Sequence, residues 1–188
     1  MRTLSVFNQV SLDGYFTDSK GDMSFARKDT GDAEWNTFVS GNASGGGALV
    51  FGRITYEMMA GFWPTPMATQ MMPVVAERMN NLPKVVFSRT LREASWSHTT
   101  LVKGDAVKAM RKMKGEPGPD MAILGSGHLV SQFAQHGLID CYQIVVVPVA
   151  LGRGRTLFDG VKTRIHLKLE SSRAFGNGNV LLNYVPNR

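Results

Sequence analysis

Residues 49–57, with the sequence LVFGRITYE, decide the fold class. An apolar run of strand character ends in Gly52 and passes without a linker into a helical pattern. Such a junction is typical of α/β domains. The free N–H groups and the positive end of the helix dipole then face outward, beside Arg53 and Thr55. The segment predicts an anion site, although a tight turn with a solvated Arg53 and a capping Thr55 explains the same residues.

Short apolar runs alternate with helical patterns over the first two thirds of the chain. The predicted strands are residues 4–10, 48–51, 84–87 and 121–124. The predicted helices are residues 32–39, 54–60, 69–79, 105–113 and 129–135. This alternation favours a central, mostly parallel sheet with helices on both faces.

The pattern changes after Leu138. Residues 142–149 (YQIVVVPV) form a β-branched run, and residues 165–169 and 180–185 are two further strands joined by a Gly-Asn-Gly turn. The last third is therefore predicted to add antiparallel strands. Because the run 142–149 is too apolar for a strand that faces water, it predicts a homodimer unless a helix layer covers it.

Composition fits a single domain over residues 1–188 in a reducing, cytoplasmic setting. Cys141 is the only cysteine, which excludes an intrachain disulfide and a cysteine-based zinc cluster. The four histidines show no metal-ligand spacing, so no metal is expected. No apolar run reaches membrane-spanning length. The net charge of +6 is spread without any Lys/Arg run longer than two, which argues against a nucleic-acid partner.

Two further predicted strands end in residues that suit phosphate. Ser88 and Arg89 follow one strand, and the planar guanidinium of Arg89 matches phosphate geometry, although a surface arginine in a turn is the alternative. Another strand ends in GSGHL, residues 125–129, which opens a helix. Since Val130 stands where G-x-G-x-x-G requires glycine, a Rossmann dehydrogenase is disfavoured. The convergence of three such strand ends favours a nucleotide cofactor.

The segments 10–16 (VSLDGYF), 50–57, 86–91, 123–129 and 148–158 together resemble, in order, the dihydrofolate-reductase-like family. They are most similar to the reductase domain of the riboflavin-pathway deaminase-reductase and its stand-alone relatives. The resemblance implies a three-layer fold of that family, NADPH as the hydride donor and, often, a homodimer. The deaminase half would need a zinc-binding His-x-Glu and Pro-Cys-x-x-Cys, which this sequence lacks, so deamination is excluded.

The resemblance also assigns roles to matching positions. On the cofactor side these are Val10, Leu12, Gly52, Arg53, Thr55, Ser88, Arg89, Gly125, Ser126, Gly127, His128 and Leu129. Within that set, Ser88 and Arg89 would lie near the 2′-phosphate and residues 125–129 under the pyrophosphate.

Substrate contacts are predicted for Asp13, Phe16, Asp32 (with Glu34 as an alternative) and Trp63. Asp13, in a Leu-Asp-Gly turn, is the candidate catalytic residue as a proton relay, or it is a turn residue chosen for its backbone geometry. The expected function is hydride transfer from NADPH to a small polar molecule such as a pterin, a pyrimidine or a ribosylamino-pyrimidine. The alternative is a nucleotide-binding module of the same fold without turnover.

Overall fold

A computed structural model describes residues 1–26, 31–44 and 47–187. The strands are β1 (Leu4–Ser11), β2 (Tyr15–Asp18), β3 (Ala48–Gly52), β4 (Lys84–Phe87), β5 (Thr99–Val102), β6 (Met121–Leu124), β7 (Cys141–Val147), β8 (Gly154–Thr156), β9 (Leu167–Ala174) and β10 (Val180–Pro186). The helices are α1 (Ala33–Ser44), α2 (Arg53–Phe62), α3 (Pro66–Met71), α4 (Pro73–Asn81), α5 (Ala106–Gly115) and α6 (Gly127–Gln135). A short 3-10 helix spans Ser24–Ala26. Among the described helices, none is both long and apolar enough to cross a membrane.

Eight strands form one sheet in the order β5-β4-β3-β6-β1-β7-β10-β9. The strands from β5 to β7 pair in parallel. β10 and β9 extend the sheet in antiparallel fashion, while β2 and β8 form a separate two-stranded ribbon. This arrangement confirms the predicted mostly parallel sheet with antiparallel C-terminal strands.

Alternation along β1 sorts side chains onto the two faces of the sheet. Leu4 and Val6 are fully buried in a core that includes Phe133 of α6. Phe7 points to the opposite face, where it joins the aromatic cluster of α1 around Trp35. We call these the α6 face and the α1 face. Helices therefore cover both faces, as the predicted three-layer architecture requires.

The α1 face carries a second, separate cluster over β3 and β4. Leu49 and Phe51 of β3 pack there with Tyr56 of α2 and Val75 of α4. Because β3, β6 and β1 share a parallel register, Leu49 and Phe51 lie on the same face as Phe7. Two helical groups thus cover opposite halves of one face, and the strip over β6 and β1 lies between them.

The predicted helix over residues 69–79 is wrong, because the chain forms two helices there. α3 ends at Met71 and α4 begins at Pro73. Proline has no N–H to continue a helix but is well tolerated in a first turn. Three strands were not predicted, β2, β5 and β8, and each has only three or four residues.

The apolar run 142–149 corresponds largely to β7, which is an internal strand between β1 and β10. Its side chains Tyr142, Val145 and Val147 are buried in the two cores of the same chain. The run therefore needs no partner subunit to cover it, and that argument for a homodimer is wrong. The homodimer itself stays a prediction.

One cation is buried at the start of β4. The Lys84 side chain is 1% exposed, and its Nζ donates to the carbonyl oxygens of Asn80 (3.0 Å), Leu82 (2.7 Å) and Ser97 (3.1 Å). Nζ also lies 4.5 Å from the centre of the Trp96 ring, a cation–π contact. Burial lowers the pKa of Lys84 to about 8, because loss of water disfavours the charged form. The ammonium ties the starts of β4 and β5 together at a cost in solvation.

We predict that this cost gives stability a pH dependence that Lys84→Met removes. In the folded state Lys84 loses its proton near pH 8, whereas in the unfolded chain it does so near the usual lysine value. The penalty is fully present below pH 8 and is relieved as the pH rises from 8 toward 10.5. The stability of the wild type relative to Lys84→Met should therefore rise over that range, by up to about 3 kcal/mol. Urea unfolding at several pH values measures it, and parallel curves for the two proteins would contradict it.

Candidate functional site

The carboxyl ends of β3 and β6 meet at a corner built by Gly52 and Ser126. The strands pair in parallel up to Val50 and Ile123, so both chains leave the sheet side by side. The Gly52 N–H donates to Ser126 Oγ at 2.9 Å, and Ser126 Oγ donates to the Leu124 carbonyl at 3.1 Å. Ser126 is 6% exposed, so this hydroxyl is a buried bridge between the two strand ends. We call this the Gly52–Ser126 corner.

Two helices begin at the corner without side-chain caps. Gly52 is the N-cap of α2 and has no side chain to cap it. Ser126 is the N-cap of α6, and its hydroxyl does not bond to that helix. By contrast, Asp32, Thr65 and Asp105 cap α1, α3 and α5 with side-chain oxygens. First-turn N–H groups have no acceptor within the helix. The corner therefore presents two positive dipole ends, together with the first-turn N–H groups of α2 and those of His128 and Leu129 in α6, whereas the Gly127 N–H already donates to the Gly125 carbonyl at 3.1 Å.

Close packing at the corner depends on two glycines. Gly125 has a φ of +65°, and a Cβ there would lie 3.2 Å from Thr55 Cγ2 on α2. A Cβ on Gly127 would lie 2.5 Å from Phe16 Cζ, which is a clash. The absence of these side chains lets α6 begin directly against α2 and Phe16. Phe16 is 9% exposed and its ring packs against Gly127 at the start of α6, while its predicted substrate contact stays a prediction.

The end of β4 lies beside the corner, because Gly52 is in register with Phe87. Ser88 Oγ accepts the N–H groups of Thr90 (3.2 Å) and Leu91 (2.9 Å), which fixes the turn and leaves Arg89 exposed. Strand order thus brings Ser88 and Arg89 next to α2, as the sequence predicts. A dinucleotide that crosses from β4 to β1 would span three inter-strand spacings, about 14 Å.

The Arg53 side chain points along α2. Its Nη1 donates to Glu57 Oε2 at 2.9 Å, an i,i+4 pair in which both side chains are nearly half exposed. Such pairs contribute only about 0.3–0.5 kcal/mol. A bound anion can therefore compete for this guanidinium at little cost.

Asp13 lies in the turn between β1 and β2, and its carboxylate ties this turn to the loop after β7. It accepts hydrogen bonds from Ser11 Oγ (2.6 Å), from the Leu151 N–H (3.1 Å to each oxygen) and from the Gly152 N–H (2.7 Å). The Ser11 hydroxyl and these N–H groups lower the pKa of Asp13 to about 2. Leu12, 72% exposed, stands at the tip of the same turn.

These contacts separate the two sequence hypotheses for Asp13. With its pKa lowered to about 2, the carboxyl of Asp13 is ionised at neutral pH, which argues against a role as proton donor, and the predicted proton relay stays a prediction. A carboxylate that accepts four hydrogen bonds instead orders the two loops at the mouth of β1. A contact between Asp13 and substrate stays a prediction.

Asp32 has a structural role, and its predicted substrate contact stays a prediction. Its Oδ1 accepts the Trp35 N–H (2.9 Å) as the N-cap of α1, and its Oδ2 accepts the Asn177 N–H (2.8 Å) in the turn between β9 and β10. The Trp35 N–H contributes most to a lowered pKa of Asp32. The alternative, Glu34, pairs with Arg173 at 2.6 Å on the surface. Both carboxylates are thus engaged by the protein itself.

Trp63 is not brought to the corner. It follows the C-terminal end of α2, about 15 Å from the first turn by helical rise. Its indole N–H donates to Met59 Sδ at 3.0 Å, and its ring packs in the cluster of α2 and α4. This aromatic surface is used for packing, and the predicted stacking on a substrate stays a prediction. Val10, 8% exposed, likewise packs in the core of the α6 face.

Two functional candidates on β1, Asn8 and Gln9, were missed from the sequence. Asn8 is 3% exposed, and its Oδ1 accepts the Gly125 N–H at 2.8 Å, which holds the turn before α6. Asn8 Nδ2 and Gln9 Oε1 are buried, and the described part of the chain gives neither a hydrogen-bond partner. The sequence signal was the adjacent amide side chains of Asn8 and Gln9 within a predicted buried strand. Buried polar groups require hydrogen-bond partners, so two of them in such a strand indicate a role.

Two surface grooves lie away from the corner. One, of about 520 Å³, is lined by α1 and Arg173 of β9. The other, of about 430 Å³, is lined by Ala60, Pro64, Asn80 and residues 95–97. Neither touches the N-termini of α2 and α6. The corner lies at the carboxyl edge of the sheet, and neither groove is lined by the first turn of α2 or of α6. We therefore regard the corner as the candidate site.

The chain is similar to known proteins along most of its length. Residues 2–181 match the model of the RibD C-terminal domain. The chain is similar to the uncharacterized protein YyaP of Bacillus subtilis (strain 168), with 27% identity over 175 residues, 93% of this chain and 90% of that protein.

Solved structures share the fold. A putative riboflavin biosynthesis protein from Shewanella sp. PV-4 is 23% identical, with 99% of each chain covered and a TM-score of 0.76. Dihydrofolate reductase from Enterococcus faecalis, solved with NADP(H), is 12% identical, with 99% of this chain and 97% of that one covered and a TM-score of 0.60. The predicted dihydrofolate-reductase-like fold is confirmed.

We predict that Gly127→Ala destabilises the fold through Phe16. The added methyl group must displace the Phe16 ring, and overpacking of this kind costs about 1–3 kcal/mol. Gly61→Ala is the control, because nothing lies within 4 Å of its Cβ position and alanine favours helices. Urea unfolding compares the two variants. Equal free energies of unfolding would show that the corner tolerates a side chain.

We further predict that Asp13→Ala loosens the loop after β7. Loss of the carboxylate leaves the N–H groups of Leu151 and Gly152 without their acceptor. Trypsin cleavage after Arg153 should then accelerate several-fold, as followed by mass spectrometry. The control is Asp159→Ala, which removes an exposed carboxylate six residues after Arg153. Trypsin should cleave this variant at the wild-type rate. Unchanged cleavage of Asp13→Ala would remove its loop-ordering role.

Proposed function

The chain belongs to the RibD C-terminal domain family, and on this basis we propose that it is an NADPH-dependent reductase. The acceptor is a small polar ring compound of the pterin, pyrimidine or ribosylamino-pyrimidine type. One observation carries the proposal: two uncapped helix N-termini adjoin at the Gly52–Ser126 corner, joined by the hydrogen bond from the Gly52 N–H to Ser126 Oγ.

The corner fits the pyrophosphate of a dinucleotide. The first-turn N–H groups of α2 and of α6, including those of His128 and Leu129, would bind its oxygens. Arg53 and the Thr55 hydroxyl lie in the first turn of α2, where they would add contacts. On the β4 side, the exposed Arg89 would pair with a 2′-phosphate and select NADPH over NADH.

The bound cofactor would supply the hydride, and the chain would position it and exclude water. In this arrangement the nicotinamide reaches the end of β1. Asp13 fixes the loops that border this point, and the exposed Leu12 offers an apolar surface there. These groups would hold the donor and acceptor rings together; Asp13, being ionised, would not supply the proton.

A second candidate is a nucleotide-binding module without turnover. The observation that favours it is the ionised, fully engaged carboxylate of Asp13, which leaves the proposed reaction without the proton donor that the sequence suggested. Both candidates share the cofactor site, so they differ only in whether bound NADPH is oxidised when an acceptor is added.

We predict that NADPH raises the melting temperature more than NADH at equal concentration, because ligand that binds only the folded state stabilises it. Arg89→Ala should weaken NADPH binding by about 1.5–3 kcal/mol, the range for a hydrogen bond to a charged group. NADH binding should not change. Isothermal titration calorimetry measures both. Arg92→Ala, an exposed arginine three residues further on, is the matched control and should bind NADPH like the wild type.

Two results would count against the proposal in different ways. Equal stabilisation by both nucleotides, or an equal loss of both in Arg89→Ala, would remove the 2′-phosphate site. Tight NADPH binding without NADPH oxidation in the presence of pterins, pyrimidines and ribosylamino-pyrimidines would instead favour the module without turnover.

A further inference from the structure

Gln9 carries a buried polar atom that the fold leaves unsatisfied. It lies on the α1 face of β1, the same face as Phe7 and Ser11, and pairs in register with Val145 of β7. Its Oε1 is shielded from solvent, and no donor from the described residues reaches it, although the residue as a whole is only partly buried. A buried acceptor without a donor lowers stability, and each such group in a folded protein calls for an explanation.

The position of Gln9 points to a ligand. β6 pairs with β1 only as far as Phe7, opposite Leu124, so Gln9 lies beyond the end of β6. The chain there turns away through Gly125, which the neighbouring Asn8 holds by its N–H. Gln9 therefore stands near the carboxyl edge of the sheet, on the face opposite α6. On its own face it borders the cluster of α1 on one side and the strip over β6 on the other.

The chemistry of the side chain narrows the ligand class. A carboxamide presents one acceptor and one NH₂ donor side by side. The group that satisfies both at once is another amide edge, with a C=O next to an N–H. The terminal torsion of glutamine is soft, so the amide can turn to exchange its oxygen and nitrogen without moving the strand.

We propose that Gln9 is a specificity-determining residue that pairs with an amide edge of a molecule bound at the end of β1. This inference rests on the proposed reductase function. Two molecules at that site offer the edge: an acceptor ring with a lactam, and the carboxamide of the nicotinamide. The lactam and the carboxamide would form the same two hydrogen bonds with the Gln9 amide. The Gln9 side chain would therefore discriminate against rings that have no amide edge.

A purely structural glutamine makes the opposite prediction for stability. If Gln9 only packed against its neighbours in the sheet, its replacement would lower the stability of the ligand-free protein and leave ligand affinity unchanged. If it serves a ligand, removing the unsatisfied oxygen stabilises the ligand-free protein and weakens binding, the usual conflict between stability and function.

The test uses Gln9→Leu, with Gln143→Leu as the matched control. Gln143 is a partly buried glutamine on the same face of β7, in register with Phe7 and further from the carboxyl edge. For Gln9→Leu we expect a melting temperature about 2–4 °C higher without ligand. We also expect about a tenfold loss of affinity for one amide-bearing ligand, the scale of one hydrogen bond. Gln143→Leu should change neither quantity.

Calorimetry with three probes distinguishes the sources. NADPH and its 3-acetylpyridine analogue, which lacks the amide NH₂, test the cofactor, and folate added to the NADPH complex tests the acceptor lactam. A loss for NADPH but not for the analogue assigns the nicotinamide carboxamide; a loss for folate with NADPH unchanged assigns the acceptor.

Two results overturn the inference. The first is a Gln9→Leu variant with all affinities unchanged while the wild type binds NADPH normally, which leaves the proposed function intact. The second is a wild type that binds no NADPH, which removes the proposed function and this inference with it.

Discussion

The hydrogen bond from the Gly52 N–H to Ser126 Oγ is the contact on which the candidate site depends. Parallel pairing of β3 and β6 brings their ends together, and the Ser126 hydroxyl, buried and committed to this bridge, cannot cap its own helix. Gly52 has no side chain with which to cap α2. Neither residue caps its helix, so the two helix N-termini adjoin at the corner with first-turn N–H groups that have no acceptor within the helix. Such N–H groups are suited to bind phosphate.

Two carboxylates, Asp13 and Asp32, connect and order loops. Asp13 joins the turn after β1 to the loop after β7, and Asp32 joins the start of α1 to the turn between β9 and β10. Each contact connects segments more than 130 residues apart in sequence. The Ser11 hydroxyl and two N–H groups lower the pKa of Asp13, and N–H groups lower that of Asp32, so at neutral pH both are anions that organise the backbone. Chemistry at the end of β1 then depends on what these loops position.

The sequence predicted the parts of the structure that local rules control. Strand ends followed by Gly52 and by residues 125–127 predicted the corner, because glycine at a strand-to-helix junction has a local cause. The hydrogen bonds of Asp32 and the packing of Trp63 could not be predicted, since their partners, Asn177 and the cluster of α2 and α4, are set by tertiary contacts. The unsatisfied amide of Gln9 likewise emerges only when the end of β6 is known.

Hydrogen–deuterium exchange with and without NADPH tests the central claim most directly, because it reports on the backbone N–H groups that the account assigns to the cofactor. The account predicts that NADPH slows exchange at residues 53–55 and at residues 128–129 together. Residues 33–42 of α1 and the strand β9, which border the larger groove, should exchange as before. Protection of only one helix start, or protection confined to α1 and β9, would contradict the assignment of the Gly52–Ser126 corner as the cofactor site.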